Sequence, residues 1–102
     1  MTIGCTLIGI LRAKPEAREE LLGILRGFVA PTREETGCVD YHLHVSDEDP
    51  NLFMFYENWR SREDLTQHLA MPYLAPIRER AQELLAADVE MKFYTMLSPY
   101  GR

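Results

Sequence analysis

Apolar residues fill almost every position of Ile3–Arg12, "IGCTLIGILR", and several are β-branched. That pattern predicts a strand with both faces apolar. "AKPEAREE" follows, with Pro15 suited to a first helical turn and glutamates that complement the helix dipole. Leu21, Leu22, Ile24, Leu25, Phe28 and Val29 then recur at three- and four-residue spacing, an amphipathic helix that Pro31 kinks or ends and Gly37 stops. Cys38–Val45 alternates: Val39, Tyr41, Leu43 and Val45 share one face, Asp40, His42 and His44 the other. "SDEDPN" is a hairpin loop, and Leu52–Trp59 is a second strand with apolar residues on both faces. Its Phe53, Phe55, Glu57 and Trp59 point one way.

Ser61 is an N-cap, with Asp64 three residues on in the capping-box position, and the helix it starts runs to about Ala70. A helix restarts after Pro72, with Leu74, Ile77, Ala81 and Leu84 or Leu85 on its inner stripe. Asp88–Leu97 alternates again as the last strand. The order β-α-β-β-α-β predicts an α+β ferredoxin-like fold with a four-stranded antiparallel sheet. In such a layer both helices cover one face of the sheet. Two strands apolar on both faces therefore leave a hydrophobic surface uncovered, and a second copy packed sheet to sheet, a homodimer, is the simplest cover.

Length and charge narrow the function. The 102 residues suit one domain, 1–102, and 46% apolar content is globular. A formal charge of −5 without a basic stripe argues against nucleic acid. No run reaches the length of a membrane span and the first residues lack a basic signal region, so no membrane association and a cytoplasmic location are expected. Cys5 and Cys38, without CxxC spacing, are expected as free, packed thiols.

Candidate chemistry concentrates in "FYENWRSREDLTQHL". His68 lies three past Leu65 and one before Leu69, beside the inward stripe of its helix. If Glu57 and Trp59 look toward the helices, a carboxylate, an indole and an imidazole border one cleft. That set suits a flat aromatic molecule, with an imidazole able to take a proton at neutral pH. The plainer alternative has Trp59 as core, Glu57 paired with an Arg or the backbone, and His68 at a helix edge. Asp40, His42 and His44 resemble an iron-binding set, but ligands two apart on a strand are about 7 Å apart and converge poorly, so no metal is expected. No phosphate-cradling glycine loop and no nucleophile motif is present. Arg33, Glu34 and Glu35 form a charge run expected at a solvated helix end. The tyrosines are expected as half-polar core residues able to hydrogen-bond a ligand.

Together "TREETGCVDYHLH", "DEDPNLFMFYENWRSREDLTQHLAMPYL" and the last strand closely resemble the antibiotic biosynthesis monooxygenase family, including its quinol-monooxygenase-like members. The shared marks are Arg33, Glu35, Gly37, Cys38, Tyr41, Pro50, Phe53, Glu57, Trp59, Ser61, Leu65 and His68, and they run over nearly the whole chain. The resemblance implies a homodimeric α+β barrel with a pocket between sheet and helices in each subunit. It also implies O₂ chemistry on a small aromatic substrate without metal, flavin or haem. His68 is then the base or proton shuttle, Trp59 walls the ring, and Glu57 or a tyrosine orients His68 or a substrate hydroxyl. Phe53, Phe55, Tyr41, Leu65 and Tyr73 complete the substrate pocket. Polyketide-type members resemble one another in an Asn four residues before the Trp, where this chain has Phe55. Haem-degrading relatives use a first-strand Asn and a later His; this first strand has no Asn, and Arg78 stands near the place of that His. A further branch, resembling isomerases or binders of small phosphorylated sugars, calls for Lys or Arg in the pocket, and the strand and helix stripes show few. Non-catalytic small-molecule binding is the remaining alternative.

Overall fold

The structure, a computed structural model, describes residues 2–101. Strands β1 (Cys5–Arg12), β2 (Cys38–Val45), β3 (Leu52–Trp59) and β4 (Glu90–Tyr94) form one sheet in the order β2-β3-β1-β4. Every neighbouring pair is antiparallel. This is the ferredoxin-like β-α-β-β-α-β arrangement, its second helical region broken. The two strands whose sequences are apolar on both faces, β1 and β3, are the central pair. The last strand is shorter than its alternation predicts, five residues in place of ten.

The helical layer consists of α1 (Arg18–Gly27), α2 (Val29–Arg33), α3 (Arg62–Leu69), α4 (Ala75–Glu79) and α5 (Ala81–Leu84), with 3₁₀ turns at Pro15–Ala17 and Pro72–Leu74. The first helical run breaks at Phe28, ahead of the proline expected to disturb it. Pro31 has no N–H to offer the carbonyl four residues back, that of Gly27, and its ring crowds that carbonyl. Helix α3 begins as its cap predicts: the Asp64 N–H donates to Ser61 Oγ at 3.0 Å. The end of α5 is tied to the end of β1 by Lys14 N–H to the Leu84 carbonyl, 3.0 Å, and Ala86 N–H to the Arg12 carbonyl, 2.8 Å.

One face of the sheet carries the core. Leu7 and Leu11 of β1, Phe53, Phe55 and Trp59 of β3, and Tyr41 of β2 pack with Leu21, Leu25, Phe28, Leu65, Leu84 and Leu85 of the helical layer. A β-bulge between Cys38 and Asp40 inserts Val39, so Cys38 opposes Trp59 and packs on the core face, which plain alternation had given to Val39. Ile8, Ile10, Met54 and Tyr56 alternate to the opposite face, stay half-buried and lie outside the core cluster. A polar strip crosses that face: Thr6 Oγ1 donates to Asn58 Oδ1, and Asn58 Nδ2 donates to Asp40 Oδ2 and the Tyr56 hydroxyl. Strand β4 is exposed along its length, with Met91, Phe93 and Tyr94 among the open apolar side chains. Cys5 and Cys38 are free thiols, and burial lifts Cys38 to about 11. No helix among the described residues is long and apolar enough to cross a membrane.

Candidate active site

The corner Trp59-Arg60-Ser61 turns the chain from β3 into α3 and brings His68 back over the sheet. Leu65 faces the core fully buried, and His68, one turn on, is 2% exposed. Its imidazole lies over the Trp59 indole, ring centroids 4.6 Å apart, and meets the Tyr41 ring edge-on at 5.5 Å. His68 Nδ1 is 2.8 Å from Glu35 Oε2. A carboxylate only accepts, so Nδ1 carries the proton and donates. Burial pulls His68 below its ordinary value while Glu35 pulls the other way, and burial prevails. The ring at neutral pH is thus the neutral tautomer whose Nε2 holds a lone pair. Nε2 has no hydrogen-bond partner, and among the described residues no sealed polar side-chain atom lacks one. Nε2 therefore keeps an opening.

That opening is a cavity of about 270 Å³ between the sheet and the helical layer, lined mainly by apolar residues, with Glu57, His68, Tyr41 and Arg78 as polar members. Glu57 is 4% exposed and accepts from Trp59 Nε1 at 2.9 Å. Burial raises its carboxyl to about 7 against the opposing Trp59 hydrogen bond. Burial, with the negative charge of Glu57 next, also raises the Tyr41 hydroxyl, which stays protonated.

On the other side of His68 runs a groove of about 570 Å³ whose walls include Glu35, Trp59 and Tyr73. Tyr73 donates its hydroxyl to Glu35 Oε2 and receives Thr32 Oγ1 at 2.9 Å. Burial and the bond to Glu35 raise Tyr73. His68 thus borders an apolar-walled cavity, while the carboxylate that holds its Nδ1 borders the groove.

The predicted site residues divide accordingly. His68, Glu57, Tyr41 and Phe55 border the cavity. Trp59 backs His68 and borders the groove, Tyr73 acts on Glu35, and neither lines the cavity. Phe53 is fully buried under the Arg18 guanidinium, and Leu65 is core, so neither is a pocket wall. Of the expected roles, Glu57 or a tyrosine orienting His68 or a substrate hydroxyl, the hold on His68 falls to Glu35, while Glu57 holds Trp59. Glu35 was expected in a solvated charge run; its side chain is 11% exposed because it turns inward to the imidazole. Arg33 is exposed yet clips the Tyr41 carbonyl at 2.9 Å. The pocket also gains a cation that the stripes did not suggest: Arg78, whose guanidinium donates to the Leu69 and Met71 carbonyls. The Asp40–His42 pair faces the other side of the sheet; Asp40 also receives the Tyr100 hydroxyl, and His42 meets Arg33.

Comparison with known proteins finds relatives of the chain as a whole. Residues 5–80 match the profile of the antibiotic biosynthesis monooxygenase family. Rv0793 of Mycobacterium tuberculosis, named as a candidate monooxygenase, is 34% identical over 99 residues, which cover 97% of this chain and 94% of its own length. A Synechocystis protein, sll1783, is 35% identical over 86 residues, 84% of this chain; the match spans 58% of that longer relative. The crystal structure of PA3566 from Pseudomonas aeruginosa superposes with a TM-score of 0.88 at 33% identity, covering 96% of this chain and 98% of that one. The chain belongs to the antibiotic biosynthesis monooxygenase family.

Proposed function

We propose that the chain is a monooxygenase for a quinol or a related small hydroxyaromatic, with His68 as general base and no cofactor. One observation carries this reading: the buried imidazole has Nδ1 fixed by Glu35 and Nε2 open to an apolar cavity. A substrate hydroxyl placed at Nε2 loses its proton there, and the pair left on oxygen makes the ring an electron-rich anion. Glu35 stabilises the imidazolium that forms, as the carboxylate of a catalytic triad does. The anion gives its electrons to O₂ and a ring carbon bonds to one oxygen. His68 returns its proton to the other oxygen, making a hydroperoxide. Loss of water leaves a ring carbonyl. One oxygen atom stays on the ring, the other leaves as water, and the substrate supplies all the electrons, so the scheme asks for no separate donor. Apolar walls limit water near the anion and the peroxide.

A homodimer is part of the proposal. Ile8, Ile10, Met54 and Tyr56 lie outside the protomer's core, and β4 is exposed along its length. A second sheet would cover such a surface. Light scattering at micromolar concentration tests it: a dimer mass is expected, and a monomer would remove this part of the proposal.

A second reading, isomerisation or binding of a small phosphorylated metabolite, is favoured by Arg78 on the cavity wall, a cation suited to an anionic group. Oxygen uptake with a panel of quinols separates the two. The wild type is expected to consume O₂ above background, and His68→Ala to lower kcat/KM by about 10²–10⁴-fold. No uptake by the wild type would end the oxygenase reading, and full activity in His68→Ala would move the base elsewhere.

A further inference from the structure

Gly9 stands in the middle of β1, between the buried Leu7 and Leu11 on the core face, paired with Phe55 of β3 and Met91 of β4. A central strand is an unfavourable place for glycine, which gives up packing and loses more chain entropy than other residues. Two other glycines have visible steric reasons. A Cβ on Gly4 would lie 2.2 Å from the Arg60 carbonyl oxygen, and one on Gly37 would lie 2.3 Å from the Asp64 carboxyl carbon. Gly9 has neither a steric nor a conformational reason. A Cβ there would meet only Glu57 Oε2 and Phe55 Cβ, each at a comfortable 3.9 Å, and its φ is not positive. What the missing side chain leaves is space, and that space is part of the cavity bordered by His68.

The polar groups add direction. Glu57 Oε1 is taken by the Trp59 N–H, while Oε2 has no hydrogen-bond partner among the described residues and is the polar atom nearest to where a Gly9 Cβ would lie. Because no sealed polar side-chain atom among the described residues lacks a partner, Oε2 is open, as His68 Nε2 is. The cavity thus has an apolar floor at Gly9 and two polar atoms with unused hydrogen-bonding capacity. Size sets a further limit. An apolar cavity of about 150 Å³ holds benzene, so about 270 Å³ suits one ring or two fused rings.

We propose that Gly9 is the specificity-determining residue of this pocket: the ligand's flat ring lies on its Cα between Phe55 and Met91, with one oxygen at Glu57 Oε2 and the reacting hydroxyl at His68 Nε2. The ligand class is a one- or two-ring hydroxyaromatic bearing a second oxygen. This rests on the hydroxyaromatic reading above and deepens it. Glu57 is a hydrogen-bond donor to that second oxygen when protonated, and the rise of its carboxyl toward neutrality is in keeping with that role.

The test is binding, not turnover. Trp59 is the sole tryptophan and stacks on His68, so its fluorescence reports ligand entry. The probe is 2-hydroxy-1,4-naphthoquinone, with one-ring 4-hydroxybenzaldehyde beside it. The wild type is expected to bind both. Gly9→Val is expected to weaken the naphthoquinone by about tenfold or more, the scale of a methylene-sized misfit in a pocket. Gly9→Ala should fall between, and the one-ring probe should lose less in each variant. Both variants should melt at or above the wild-type temperature, because a strand gains from losing its glycine; this separates a filled cavity from a damaged fold. Should Gly9→Val fail to fold, Gly9→Ala decides, since its Cβ fits without displacement. A folded variant that binds the naphthoquinone as tightly as wild type overturns the proposal, and so does a wild type that binds neither probe. If the wild type binds the naphthoquinone and the Gly9 variants lose it, but no quinol drives O₂ uptake, the oxygenase reading falls and the Gly9 seat stands.

Discussion

The two sides of the His68 ring each hold a glutamate, and they are in opposite situations. Glu57 lies in the cavity, 4% exposed, with a neutral N–H donor for a partner and its carboxyl raised to about 7. Glu35 stands at the wall of the open groove, bonded to His68 and Tyr73. Burial without a cation makes a carboxyl a proton holder. A place at the water's edge against an imidazole N–H makes a carboxylate an orienter and a charge partner. The same side chain thus stands in two opposite electrostatic settings around one imidazole, and in the proposed mechanism these become the two ends of an acid–base pair.

The largest break in that comparison comes from the groove side. Glu35→Gln removes the charge that favours imidazolium and can present an amide N–H to Nδ1 in place of an acceptor. The ring then adopts the tautomer with its proton on Nε2, and the base is lost. On the proposed mechanism kcat should fall by about 10²-fold or more. Because Glu35 now raises the His68 value against burial, its removal should lower that value further. Nitrogen NMR of the imidazole reads both tautomer and titration. An unchanged tautomer and an unchanged rate would reduce Glu35 to a structural clip.

The cavity side is tested by pH. An acid whose folded value lies above its unfolded value stabilises the fold fully below the unfolded value and loses that contribution as pH rises through the folded one. For Glu57 the window runs from 4.5 to about 7. The gap corresponds to about 3 kcal/mol as an order of magnitude. Glu57→Gln keeps an acceptor for Trp59 and never ionises. Urea unfolding should therefore show it gaining on wild type between pH 5 and pH 8, by up to about that amount. His68 works in the reverse direction: its lowered value makes stability fall as pH drops below the ordinary imidazole value and through the folded one. A Gln variant with no relative gain toward pH 8 would show that Glu57 is ionised without penalty, and the contrast with Glu35 would collapse.

The contrast also marks where residue pattern stops being informative. The hairpin β2–β3, the Ser61 cap and the inward turn of His68 follow from local rules: alternation, a turn-forming loop, and three- and four-residue spacing. Glu57 and Trp59, two apart on one strand, share a face for the same reason, and their hydrogen bond is a local product. Glu35 is 33 positions from His68 and sits among charges that ordinarily face water. Its inward turn depends on where α2 ends against β2, which Arg33 secures by clipping the Tyr41 carbonyl. Only its place among the family's shared residues hinted at it. Arg78 stands near where haem-degrading relatives carry a His, but its place on the cavity wall is not legible in the pattern because its helix is a short fragment, too brief to show a stripe. Gly9 escaped because a glycine in a strand looks like a flaw until a cavity is found beside it.

The smallest effect expected is at the corner that carries His68. Ser61 Oγ accepts the Asp64 N–H and donates to the Asp64 carboxylate at 2.8 Å, while Arg60 holds the same carboxylate at 2.9 Å. Ser61→Ala deletes the cap and leaves the Arg60 contact. Loss of such a cap costs about 1 kcal/mol, which for a domain of this length moves the melting temperature by about 4–8 °C. The core contacts of Leu65 and the stack on Trp59 still hold α3 down, so the His68 tautomer and titration should match wild type. Calorimetry and nitrogen NMR on the same sample make the distinction. If Ser61→Ala shifts the His68 tautomer as Glu35→Gln does, the orientation of the base belongs to the helix start, and the groove-side carboxylate loses its separate role.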